Sequence, residues 1–298
     1  MLLGCSQRSA VNLAPLRPPV KGTVNFAMVA SVRTVDAGGV LLAVEDHGEG
    51  VACLLLHGFP LAKDIFAPIR PALETVARVI TPDLPGFGLS AKPPAGYTME
   101  ALATAVGRLA DAVGLDRFVM GGHSMGGYVA MRLAAMQPQR LAGLVLIDTR
   151  AAADGAEARK RRDAAIAQIR GGGREAFLDG FAANLVGNST RERAPRIAEE
   201  LRRLADDVPD HALIGALAGM RDRPDSSEVL AGLSVPALLV VGEEDTISTP
   251  AEMAAMARRM PHGELAVIPA AGHTPTVERP VATAEVLVAF LRRVAAGA

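Results

Sequence analysis

The chain has 298 residues, 31 basic and 32 acidic side chains, a formal net charge of −1, and is 50% hydrophobic but only 3% aromatic. That length holds either two average domains or one larger α/β domain with an insertion, and the apolar fraction excludes a disordered chain. The balanced charge excludes a globally basic nucleic-acid binder, and no apolar run reaches the ~18 residues of a membrane-spanning helix. Neither a nucleic acid nor a membrane is expected as a partner, and nothing in the sequence indicates an oligomeric state. With eight Phe, two Tyr and no Trp, the core must be aliphatic. Cys5 and Cys53 cannot build a disulfide framework, and Cys53, inside an apolar run, reads as a buried inert thiol.

Residues 1–30 contain Pro15, Pro18 and Pro19 without periodicity and read as an N-terminal arm, within which Met28 is an alternative start. The opening Met1-Leu2-Leu3-Gly4-Cys5 lacks the charged start and long apolar stretch of a secretory signal, so a cytoplasmic location is expected. Beyond the arm, strands are expected at 32–36, 40–46, 51–56, 77–82, 118–122, 141–148, 236–242 and 264–269. Helices are expected at 98–113, 126–136, 250–260 and 281–294. Runs such as Leu54-Leu55-Leu56 and Leu238-Leu239-Val240-Val241 suit strands buried on both faces of a mainly parallel sheet. Strand–helix alternation on both sides of the middle implies an α/β domain.

The middle of the chain differs. Residues 150–230 hold 14 basic and 14 acidic side chains, 28 in 81 residues, against 35 in the other 217. Helical stretches near 154–170, 174–186, 190–206 and 209–220 are punctuated by Gly171-Gly172-Gly173, Pro195, Pro209 and Pro224. This zone reads as a helical insertion, leaving 31–149 and 231–298 as the α/β core. The run Arg159-Lys160-Arg161-Arg162 is balanced by nearby acids and reads as a solvated helix face.

One motif carries chemistry. The strand at 118–122 runs into Gly122-His123-Ser124-Met125-Gly126-Gly127 and then a helix. This is Gly-x-Ser-x-Gly in the strand–turn–helix setting that presents a nucleophilic hydroxyl above a sheet, beside the free N–H groups and positive end of a helix. The alternative is a serine that merely caps the helix. A nucleophilic serine needs a base. His47 ends an early strand, His211 lies in the insertion, and His262 precedes the last strand at the wrong edge. His123 adjoins the serine across a turn that points neighbouring side chains apart. His57 and His273 both follow strands at the right edge, and His273, in Ala271-Gly272-His273, is preferred. The acid should follow another late strand, and Asp245 gives the order Ser124, Asp245, His273. Asp148 and then Glu244 are the rivals.

These residues resemble an α/β-hydrolase-fold serine esterase over about 32–296. The resemblance rests on Leu56-His57-Gly58-Phe59-Pro60, on Asp83-Leu84-Pro85-Gly86-Phe87-Gly88-Leu89-Ser90, on the serine turn, and on the paired Gly242-Glu243-Glu244-Asp245 and Gly272-His273. It implies a mostly parallel eight-stranded sheet flanked by helices, with a helical cap inserted after the sixth strand and covering the site. It also implies that His57-Gly58 shapes the oxyanion loop, which removes His57 as a base, and that the oxyanion hole is the backbone N–H of Phe59 and of Met125. No cofactor and no metal are expected. Gly86-x-Gly88-x-x-Ala91 only superficially matches a dinucleotide loop, because Pro93-Pro94 forbids the following helix. Related dehalogenases and epoxide hydrolases place an aspartate where Ser124 stands, and dehalogenases typically hold halide with a tryptophan. The expected reaction is hydrolysis of carboxylic esters with short-to-medium uncharged acyl groups. Phe177, Phe181 and Leu217 are expected to line the acyl pocket. Lactones, carbon–carbon bonds and peroxide in place of water are alternatives on the same triad, since the motifs also resemble cofactor-independent perhydrolases. A ligand-binding receptor or scaffold on this fold is the alternative of another class.

Overall fold

A computed structural model describes residues 32–297, so the N-terminal arm and Cys5 lie outside the described residues. Eight strands form one sheet: β1 (Arg33–Asp36), β2 (Leu41–His47), β3 (Val51–Leu56), β4 (Ala77–Pro82), β5 (Phe118–His123), β6 (Leu141–Ile147), β7 (Ala237–Gly242) and β8 (Gly263–Ile268). Their order is β1-β2-β4-β3-β5-β6-β7-β8. β2 runs antiparallel to both neighbours, whereas β4, β3, β5, β6, β7 and β8 are mutually parallel. Every expected strand is present, with ends that differ by at most one or two residues. The carboxyl ends of β3 to β8 consequently share one edge, where loops rather than ladders determine which side chains are presented.

The continuously apolar strands divide their side chains between two faces, as a period of two requires. Leu54 and Leu56 of β3 and Leu239 and Val241 of β7 enter one core, while Cys53, Leu55, Leu238 and Val240 enter the other. The first core packs under α2 (Met99–Ala112), α3 (Met125–Met136) and α10 (Pro250–Arg259); the second packs under α1 (Arg70–Leu73) and α12 (Pro280–Ala296). Thr98 caps α2, its hydroxyl accepting the Ala101 N–H at 3.1 Å, and Leu102, Val106 and Leu109 then bury one face. α10 opens with Pro250 and a reciprocal Thr249–Glu252 capping box. Cys53 is buried, and burial pushes its thiol up to about 12, well away from any reactive range.

Between β6 and β7 run six helices: α4 (Ala156–Arg170), α5 (Arg174–Ala182), α6 (Asn188–Arg193), α7 (Arg196–Leu204), α8 (Asp210–Arg221) and α9 (Ser227–Ala231). The single helix expected over 190–206 is two, because Pro195 has no N–H to continue α6. The second stretch also stops early, at Ala182. Asp154 near the start of this segment and Arg223 near its end form a buried pair at 2.6 Å, with the guanidinium 4.1 Å above the Tyr128 ring of α3. That pair closes the insertion on itself and fastens it to the core helix that follows Ser124. Among the described residues no helix is long and apolar enough to cross a membrane.

Candidate active site

β5 delivers Ser124 at the start of α3 in a backbone conformation that non-glycine residues rarely adopt, φ 52° and ψ −115°. The turn closes only because its neighbours lack side chains. A Cβ on Gly122 would stand 2.2 Å from the Gly126 backbone, and one on Gly126 would stand 2.2 Å from the Leu56 carbonyl oxygen. The strained residue is held from both ends: its N–H donates to the Ile147 carbonyl at 2.9 Å, and its carbonyl accepts the Thr149 hydroxyl at 2.7 Å.

The structure brings three of the candidate residues into one hydrogen-bonded line. Ser124 Oγ lies 2.9 Å from His273 Nε2, and His273 Nδ1 lies 2.9 Å from Asp245 Oδ2. Asp245 and His273 are buried, while Ser124 is partly exposed. Asp245 also accepts the N–H of Ile247 at 2.7 Å and of Ser248 at 3.1 Å. Burial by itself would raise its pKa, but the His273 charge, the His273 hydrogen bond and these further bonds outweigh burial and hold it at about 2. A fixed anion of this kind directs the Nδ1–H toward itself and leaves Nε2 free to accept the serine proton.

The rival residues are placed elsewhere or spent. Glu244 bonds the Ser189 N–H at 2.8 Å, tying α6 to the core, and its pKa is lowered by bonds from Ser189. Asp148 follows β6 with φ 43°, is fully buried, and accepts the Gly242 N–H at 2.9 Å through Oδ1. Its other oxygen meets no donor, and its carboxyl is hydrogen bonded to Asp245. Burial first, then the Asp245 charge, push its pKa well above the usual carboxylate range. The physical consequence is a protonated acid that donates to Asp245 rather than a second anion. Asp148, Asp245 and His273 are also the one carboxylate–imidazole group among the described residues compact enough to hold a metal, with ligand atoms within 4.8 Å. Those atoms already satisfy one another.

The remaining histidines at this edge are scaffolding. His57 accepts the Leu84 N–H at 2.9 Å through Nε2 and donates Nδ1–H to the Gly58 carbonyl at 2.9 Å, and burial lowers its pKa. His123 packs beside the His273 ring, with centroids 5.0 Å apart. Its Nε2–H donates to the His273 carbonyl at 2.6 Å, and burial, then the His273 charge, lower its pKa to about 3. Sequence reasoning missed Glu278 altogether. Its Oε1 accepts the N–H groups on both sides of the base, Gly272 at 2.9 Å and Thr274 at 3.0 Å, and Oε2 accepts Gly187 N–H of the insertion at 2.8 Å. The one available signal was a glutamate five residues after His273, which has no meaning until the short helix α11 (Pro275–Glu278) folds it back.

Phe59 follows β3, and Met125 is the first residue of α3; neither amide N–H has an acceptor among the described residues. The Phe59 ring is buried and meets Phe181 edge-on at 5.4 Å and Phe177 at 6.3 Å, which lays α5 over the carboxyl edge of the sheet. Phe177, Phe181 and Leu217 line a cavity of about 450 Å³ together with Thr246 and Ile247, which follow Asp245 in the chain. That volume is within the range of small-ligand pockets.

Known proteins share this fold. An esterase from Thermogutta terrifontis, solved with malate bound, superposes with a TM-score of 0.83 at 40% identity, covering 88% of this chain and 97% of that one. The enol-lactonase from Burkholderia xenovorans LB400 superposes with a TM-score of 0.80 at 25% identity, covering 87% and 100%. In sequence, the dihydrolipoyllysine-residue acetyltransferase component of the acetoin cleaving system of Pseudomonas putida is 32% identical over 282 residues, 92% of this chain and 72% of that protein. The family profile described as alpha/beta hydrolase fold matches residues 52–280. The chain belongs to the alpha/beta hydrolase fold family.

Proposed function

We propose that the protein hydrolyses carboxylic esters through an acyl-enzyme intermediate on Ser124, His273 and Asp245. The observation that carries the reading is the unbroken line of two 2.9 Å hydrogen bonds from a strained, partly exposed serine hydroxyl to a buried carboxylate. His273 Nε2 takes the hydroxyl proton as Oγ attacks the ester carbonyl, and Asp245 stabilises the imidazolium that forms. The carbonyl oxygen, now an anion, is received by the unpaired N–H groups of Phe59 and Met125, an effect worth about 3 kcal/mol per donor in comparable sites. The imidazolium then protonates the leaving alcohol. In the second half, His273 removes a proton from water, the hydroxide releases the acid, and the serine regains its hydrogen.

The six-helix segment acts as a cap, with Phe177, Phe181 and Leu217 contacting an uncharged acyl group of short-to-medium length. A lactone is an ester closed on itself and passes through the same steps; the likeness to an enol-lactonase favours this second reading. Ser124→Ala is expected to lose at least about three orders of magnitude in kcat/KM on 4-nitrophenyl butyrate while its Tm stays near that of the wild type. Wild-type turnover in the folded variant would overturn the proposal. An acyl series is expected to peak below about twelve carbons.

A further inference from the structure

The cavity bounded by Thr246 and Ile247, which follow Asp245 in the chain, is apolar only in part. Its lining also holds Arg150, Arg161 and Arg162 against a single acid, Asp154. Asp154 is fully committed, to Arg223 at 2.6 Å and to Arg162 at 3.2 Å. Arg150 is paired with Glu252 at 3.3 Å. Arg161 is different: among the described residues no carboxylate lies within ion-pair distance of it. Arg159, Lys160 and Arg161 are exposed and Arg162 is half-buried, as a solvated helix face requires, but their partners differ. Arg159 bonds the Asp154 carbonyl, Lys160 pairs with Glu157, Arg162 pairs with Asp154, and Arg161 is left as an unpaired guanidinium lining the cavity.

An unpaired cation in a cavity that also has Phe177, Phe181 and Leu217 is suited to a ligand apolar in one part and anionic in another. A planar guanidinium recognises a carboxylate through two parallel hydrogen bonds, a geometry an ammonium cannot supply. We propose that this cavity is a carboxylate-recognition subsite in which Arg161 selects esters bearing a carboxylate group as well as the scissile bond. The inference rests on the reading of the protein as an ester hydrolase and changes the substrate this cavity takes from a wholly uncharged ester to one with a distal carboxylate. The Arg161 guanidinium binds the distal carboxylate, and the neighbouring Arg150 and Arg162 add positive potential that their acids only partly offset. The apolar wall packs the carbon chain between the two ends.

The test compares matched esters that differ in that one charge. For the acyl half the pair is mono-4-nitrophenyl glutarate against 4-nitrophenyl pentanoate; for the alcohol half it is 4-acetoxybenzoate against 4-methylphenyl acetate. Intrinsic reactivity cancels when the anionic-to-neutral ratio of kcat/KM is compared between wild type and variant. In Arg161→Ala that ratio is expected to fall about ten-fold for at least one pair, mainly through KM, and in Arg161→Glu to fall further. In the wild type the ratio should also decline with added salt, because the subsite is partly open to solvent. Lys160→Ala, on the same turn of α4, should leave it unchanged. Ratios within two-fold of wild type for both pairs in Arg161→Ala would overturn the subsite while neutral-ester turnover left the hydrolase reading standing. If the wild type turns over none of the four esters, the underlying reading fails as well.

Discussion

The α/β core and the helical insertion use their charges and glycines in opposite ways. In the core, few ionisable groups are present at the carboxyl edge, and nearly all are buried and committed: Asp245 to His273, Asp148 to Gly242 and Asp245, and Glu278 to three backbone amides. In the insertion the charges form mostly exposed pairs, such as Arg202 with Glu175, Asp179 and Asp206. Exposed pairs of this kind contribute at most about 1 kcal/mol each. The core therefore holds Ser124, His273 and Asp245 in a fixed hydrogen-bonded line. The insertion lies over that edge and is joined to it by Phe181 on Phe59, Arg223 on Tyr128, Glu244 on Ser189 and Glu278 on Gly187, and by apolar side chains such as Leu213 and Met220 that share the core cluster of α2 and α3.

That contrast is open to direct attack. The largest effect is expected at Gly122, where Gly122→Ala places a methyl group against the Gly126 backbone, which cannot move without opening the Ser124 turn. A loss of about 3 kcal/mol or more, read as a lower urea midpoint with activity abolished, is expected. Tolerance of alanine there would mean that the core is less tightly built than the contacts imply. Next is Glu278→Ala, which leaves the Gly187, Gly272 and Thr274 amides without an acceptor. Each orphaned amide costs about 1–3 kcal/mol, and with the base loop released, kcat should fall about ten-fold or more with little change in KM. A change confined to KM would place the role of Glu278 in the cap rather than at His273.

In the insertion the expected effects are smaller and of another kind. Phe181→Ala removes a half-buried ring from the Phe59 contact and should raise KM for apolar acyl esters about five-fold, with kcat nearly unchanged. A larger loss of kcat would show that the cap orders the oxyanion loop as well as binding substrate.

The smallest effect has the opposite sign. The folded pKa of Asp148 is raised above the ordinary value of 3.8, so above about pH 4 the unfolded chain releases a proton that the folded chain retains. Its contribution to stability therefore falls as pH rises through that window. Asp148→Asn keeps an acceptor for Gly242 and a donor for Asp245 without the titration, and should raise Tm by a few degrees at about pH 7 but not at about pH 4. A lower Tm at both values would mean that Asp148 is held as an anion. His123 acts in the opposite direction. Its folded pKa of about 3 lies below the ordinary 6.5, so its contribution is present above about pH 6.5 and is lost as pH falls toward 3.

Much of this was legible in the residues because the signals are local. The two-sided apolar strands, the glycines around Ser124 and the order of the serine, acid and base follow from neighbours in the chain, and the helix break at Pro195 could have been read in the same way. The contrast between 28 charges in 81 residues and 35 in the other 217 likewise marked the insertion before any coordinates were considered. What the chain order could not supply was anything that depends on two distant segments meeting. The choice of Asp245 over Asp148 turns on which carboxyl faces the His273 ring, and the loops after β6 and β7 are 97 positions apart at those residues. Glu278 becomes a brace only when α11 turns it onto amides from two elements, one of them 91 residues away. The run Arg159-Lys160-Arg161-Arg162 is uniform as a string of letters. The Lys160–Glu157 pair follows from helix spacing, but only folding brings Arg162 onto Asp154 and leaves Arg161 without a partner at the cavity, because those placements depend on how the start of the insertion packs in space.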